Sequence, residues 1–85
     1  MTYEKMSIQD RRDRLVAVLR FCYSQSGFSQ RALAKAIGIS KSQVGHVLTT
    51  QRRLEFVELV DWLIALDIEY LEFIEMLDNP PASED

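Results

Sequence analysis

Apolar positions recur at intervals of three and four along most of the chain, and no stretch alternates at period two. That pattern predicts helices and no strands. Ser7-Ile8-Gln9-Asp10 is a weak form of the capping box and sets the first helix at Ser7. Its expected core stripe is Ile8, Leu15, Val18, Leu19 and Cys22, and it should fade at Ser24-Gln25-Ser26-Gly27. A second helix follows Ser29, a good N-cap, and runs through Ala36. Leu33, Ala34 and Ile37 form its inner side, and Gly38 ends it in the left-handed conformation. Ser40-Lys41-Ser42-Gln43 is a full capping box, so a third helix starts there and continues to Thr49. A fourth helix is expected over Glu55 to Leu66 and a fifth over Glu69 to Leu77, with Asn79-Pro80-Pro81 as the stop. The pattern thus describes one all-α domain of five helices over 1–78 and a flexible acidic tail over 79–85.

Eighty-five residues, 47% of them hydrophobic, suit one packed core and leave little room for a second. No apolar run is long enough to span a membrane, and Met1 to Lys5 does not lead into a secretory h-region. Cys22 is the lone cysteine and His46 the lone histidine, so an internal disulfide and a structural zinc site are both excluded. A reducing cytoplasm is the expected compartment, and nothing calls for a metal or cofactor. An enzyme is not expected either. There is no Ser/His/Asp or Cys/His arrangement, no acid near His46 and no phosphate-cradling glycine loop.

The net charge of −3 looks wrong for a nucleic-acid binder until charge is read by position. All ten basic residues lie in 1–53 against Glu4, Asp10 and Asp13, a balance of +7. Residues 54–85 hold ten acids and no base, and no acid occurs between Arg14 and Leu54. A chain polarised in this way can offer a positive field to phosphates despite its negative total. Without an aromatic platform in the basic half, RNA has no support.

Gln30 to Thr49 is the segment that carries function. Two short helices joined at Gly38 and crossing at a large angle form a helix-turn-helix. Ala34 must be small where the helices cross, Gly38 must accept positive φ, and Leu33, Ile37, Ile39, Val44 and Val47 must be apolar. These residues, together with Val44-Gly45, resemble the Cro and phage-repressor type of lambda-repressor-like domain, the Xre family. The run Arg52-Arg53-Leu54-Glu55-Phe56-Val57-Glu58-Leu59 and the later Ala65-Leu66 extend the resemblance over about residues 12 to 77. It implies a compact five-helix fold whose second and third helices dock on double-stranded DNA. The chain departs from many relatives at Leu48, where they have glutamate, and at Thr50 and Asp67, where they have glycine.

By that resemblance Lys41, Ser42 and His46 contact bases, while Gln30, Ser40, Gln43, Thr50, Gln51 and Arg52 contact the backbone. Lysine can donate to guanine O6 and N7, and serine can serve several bases. Ser40 has a second reading as a cap alone, and Arg53 as a partner of Glu58. Arg11, Arg12, Arg14 and Arg20 read as a solvated face, and Gly45 as a gap that permits close approach to the groove.

Residues 54–77 have apolar or aromatic side chains at seventeen of twenty-four positions, more than so small a core can absorb. Val57, Leu59, Val60, Leu63, Leu66, Leu71 and Ile74 form the stripe expected to pack inward. Phe56, Ile64, Tyr70, Phe73 and Leu77 are left over as a homodimer interface, unless Trp62 and Phe56 simply enlarge the core. The expectation is a transcriptional regulator, specifically a repressor on a palindromic operator. The alternative is an antitoxin-like or adaptor protein whose C-terminal helices bind another protein.

Overall fold

The computed structural model describes residues 2–49 and 54–81. Five α-helices follow a single 3-10 turn at Tyr3–Lys5: α1 (Ile8–Ser26), α2 (Gln30–Ile37), α3 (Lys41–Leu48), α4 (Phe56–Leu66) and α5 (Tyr70–Asp78). The boundaries follow from local chemistry. Ser7, Ser29 and Ser40 each stand extended at an N-cap and accept a hydrogen bond from the amide three residues on, at 3.1, 3.0 and 3.1 Å. Gly27 (φ 81°) and Gly38 (φ 90°) end α1 and α2 in the left-handed region that glycine enters without a Cβ penalty. Asp67 closes α4 at φ 59°, a left-handed turn that a short polar side chain tolerates.

Helix α1 is the hub, packing against α3, α4 and α5, while α2 lies on α3 and α4. The core between them is Val18, Leu19 and Cys22 of α1, Leu33 and Ala34 of α2, and Val44, Val47 and Leu48 of α3. Leu59, Trp62, Leu63 and Leu66 of α4 and Phe73 and Leu77 of α5 complete it. Trp62 has no exposed surface and is the largest side chain at the centre; its indole N–H has no hydrogen-bond partner among the described residues.

The chain termini of the domain are tied together. The Tyr3 amide donates to the Asp78 carboxylate at 2.7 Å, and the Tyr3 hydroxyl donates to the Arg11 carbonyl at 3.1 Å. Arg14 donates to the Leu77 carbonyl at 2.7 Å, a cation placed at the negative end of α5. Arg14 is therefore half-buried and structural rather than part of a solvated face, and Arg11 reaches the Glu4 carbonyl; Arg12 and Arg20 remain exposed.

The inward stripes of three helices also need correction. Ile8 is 65% exposed, because at the first position of α1 it precedes the point where partner helices reach the face. Phe73 and Leu77, expected at an interface, are buried at 0% and 4% exposure, whereas Val57, Leu71 and Ile74 point out at 68%, 77% and 38%. On α5 the face turned to α1 is the one bearing Phe73, Met76 and Leu77, spaced by three and four, which leaves Tyr70, Leu71 and Ile74 on the outer side. Phe56, Ile64 and Tyr70 are exposed as expected. Among the described residues no helix is long and apolar enough to cross a membrane.

Cys22 is buried, and desolvation followed by the nearby Glu72 charge pushes its thiol above the ordinary 9.0. The folded chain therefore keeps the thiol protonated where the unfolded chain begins to ionise, so this site's contribution to stability falls as pH rises past 9.0. An uncharged alkylating reagent at pH 8 should modify the native thiol far more slowly than the urea-unfolded thiol. Equal rates would show that Cys22 is reachable in the folded state.

Candidate nucleic-acid interface

Two eight-residue helices and the turn between them build the surface. Ala34 is only 4% exposed and its carbonyl accepts from both the Gly38 amide (2.8 Å) and the Ile39 amide (3.0 Å). That pair of bonds closes α2 and turns the chain sharply, and the small side chain lets α3 cross close to it. The capping box on α3 is reciprocal. The Gln43 amide donates to Ser40 Oγ at 3.1 Å, and the Ser40 amide donates to Gln43 Oε1 at 2.8 Å. Both side chains are thus engaged in starting the helix, and they stand at its N-terminus, where backbone N–H groups favour anions.

Val44, Val47 and Leu48 face the core, which turns Lys41, Ser42, Gly45, His46 and Thr49 outward on the opposite arc. Lys41, Ser42, His46 and Thr49 are all exposed. The Thr49 hydroxyl donates to the carbonyls of Gly45 (3.0 Å) and His46 (3.2 Å), satisfying the end of α3. Gln30, at the first position of α2, reaches across to α3: a Cβ placed on Gly45 would stand 3.6 Å from Gln30 Oε1. The amide of Gln30 thus lies beside the outward arc at Gly45, a pairing that spacing along the chain did not reveal.

The structure brings Lys41, Ser42, His46, Gln30, Ser40 and Gln43 onto one surface. Thr50, Gln51, Arg52 and Arg53 lie outside the described residues. The helix starts carry the charge polarity of the chain. The first turns of α1, α4 and α5 carry Asp10, Glu58 and Glu72, while those of α2 and α3 carry no acid. No side-chain acid offsets the positive ends of these two helices, which favours an anion there.

Beside this surface runs an open cleft of about 650 Å³ lined by Arg20, Tyr23, Gln30, Leu48, Thr49 and Pro80, among others. Among the described residues that line it there is no carboxylate, histidine or cysteine. Among the described residues no group of three metal-ligating side chains comes together.

No protein-family model matches this chain, and no curated protein matches it. Solved structures do. The restriction-modification controller protein C.AhdI from Aeromonas hydrophila is 35% identical, with a TM-score of 0.64 over 71% of this chain and 91% of that one. The hypothetical transcription factor NHTF from Neisseria is 23% identical, with a TM-score of 0.67 over 78% of this chain and 74% of that one, a likeness of fold. The tight Ala34–Gly38 crossing, the outward polar arc of α3 and the likeness to C.AhdI agree: the chain belongs to the Xre family, the Cro and phage-repressor type of helix-turn-helix DNA-binding regulators.

Proposed function

We propose that this protein is a sequence-specific regulator of transcription, a repressor that occupies a near-palindromic operator in double-stranded DNA. One observation carries the reading. The exposed polar arc of α3 belongs to a pair of helices, α2 and α3, whose first turns hold no acid, within a stretch from Arg14 to Leu54 that has none at all. Such a surface attracts phosphates and presents donors to base edges. Lys41, Ser42 and His46 read bases. Gln30, Ser40, Gln43, Thr50, Gln51 and Arg52 hold the backbone. Two copies joined through the outer faces of α4 and α5, with Phe56, Ile64 and Tyr70 at the contact, set two such helices about 34 Å apart on successive major-groove faces. Asp61, Glu69 and the other acids of 54–81 keep that half off the DNA.

Selection of sites from a random duplex library, followed by mobility shift across a salt series, tests this directly. The expected result is a pair of related half-sites one helical turn apart, with an affinity that falls steeply as salt rises. Failure to enrich any sequence at low salt would remove the proposal. Lys41→Ala should relax the preference at particular base pairs, at about 1–3 kcal/mol, and leave binding to unrelated duplex nearly unchanged. An equal loss on matched and mismatched sites would show that Lys41 contacts phosphate instead.

A further inference from the structure

The outer face of α4 and α5 has a charge border that favours one kind of occupant. Phe56, Val57 and Ile64 of α4 and Tyr70, Leu71 and Ile74 of α5 are exposed. The rings of Phe56 and Tyr70 meet edge to face, centroids 5.7 Å apart, and so join the two helices' apolar rows into one surface. Exposed carboxylates flank it: Asp61 lies one turn from both Val57 and Ile64, and Glu75 one turn from Leu71. Residues 54–81 contain eight acids and no base. A second copy seated through this same face sets its own residues 54–81, with eight acids and no base, against the first, so apolar contact is opposed by repulsion of like charge. An apolar helix edged with lysine or arginine gains the same burial and adds attraction.

We propose that this surface docks a basic amphipathic helix of another protein, and that its seating displaces the second copy and loosens the hold on a two-half-site operator. The displacement rests on the dimeric operator reading above; the docking does not.

The test uses the full chain and a labelled synthetic helix of leucine and lysine, leucines in heptad spacing, beside its leucine–glutamate counterpart. Fluorescence anisotropy should show that the lysine peptide binds and the glutamate peptide does not. Binding should weaken at least ten-fold in Ile64→Ser/Leu71→Ser, and by a similar factor in Asp61→Asn/Glu75→Gln. All four positions are exposed, so circular dichroism should report an unchanged fold in both variants. Full binding to the serine variant would reduce the effect to undirected charge attraction and overturn the docking site, as would equal binding of the two peptides or none of either. Sedimentation of the chain, alone and with the lysine peptide, addresses the second step. A dimer that dissociates as peptide binds supports displacement, and a dimer that retains bound peptide overturns it. A chain that is monomeric without peptide removes the dimer, and displacement with it, yet leaves docking to stand on the anisotropy.

Discussion

Trp62→Ala should cost about 3–5 kcal/mol of folding stability, the largest effect expected of any single truncation in this chain. Domains of this size are held by about 5–15 kcal/mol in all, so the variant should be marginal or unfolded at room temperature. The reason is geometric. Trp62 is fully buried in one core cluster with Leu19, Leu33 and Phe73, all at 0% exposure, so its removal leaves a cavity in the most tightly enclosed part of the fold. Trp62→Phe separates volume from polarity. It removes an indole N–H that has no partner among the described residues, a group whose unpaired burial costs about 1–3 kcal/mol, while keeping most of the aromatic filling. The two terms oppose, and the phenylalanine variant should lie within about 1 kcal/mol of the parent in urea unfolding followed by circular dichroism. Equal destabilisation by alanine and phenylalanine would mean that the indole N–H has a partner in solution.

The helix starts were legible because capping is local chemistry. Ser7, Ser29 and Ser40 announce their helices within three residues, and each makes the bond its position implies. The turn at Gly38 was legible for the same reason, since only a residue free of Cβ strain closes α2 so tightly against Ala34. Beyond residue 53 the local signal fails. Helix α4 has apolar side chains on most of its circumference, from Phe56 and Val57 through Leu59 and Trp62 to Ile64, so periodicity admits more than one inward face. The choice is made by what α1 offers as a partner, a long-range fact that leaves Leu71 and Ile74 outside and takes Phe73 and Leu77 in. Arg14 was misread for a related reason. Its partner, the Leu77 carbonyl, is sixty-three residues away and carries no signature in composition or spacing. At the candidate interface, polarity and exposure along α3 were readable from helical geometry. The acid-free pair of helix N-termini was readable too, from capping serines set in a stretch without Asp or Glu; the approach of Gln30 to Gly45 needed the packing of α2 on α3.

Gly45→Glu should leave the fold intact and abolish specific DNA binding, because the site separates the two demands. A Cβ at this position meets Gln30 Oε1 at 3.6 Å, an ordinary contact with the end of a flexible side chain, so no backbone shift is required. Replacing glycine within a helix recovers up to about 1 kcal/mol of propensity, which should make the variant at least as stable as its parent. Yet the new carboxylate stands on the outward arc one turn from both Lys41 and Thr49, in a surface that otherwise has no acid from Arg14 to Leu54. Like charge set against phosphate costs several kcal/mol, so the mobility shift on a selected site should weaken by about 100-fold or more. Gly45→Ala supplies the control: it brings the same helical gain without the charge. Alanine should raise the unfolding midpoint and keep most of the affinity, since a methyl group is small beside a groove about 12 Å wide. If the glutamate variant bound its site normally, α3 would not enter the groove, and the basic half of the protein would have to meet DNA through another face or not at all.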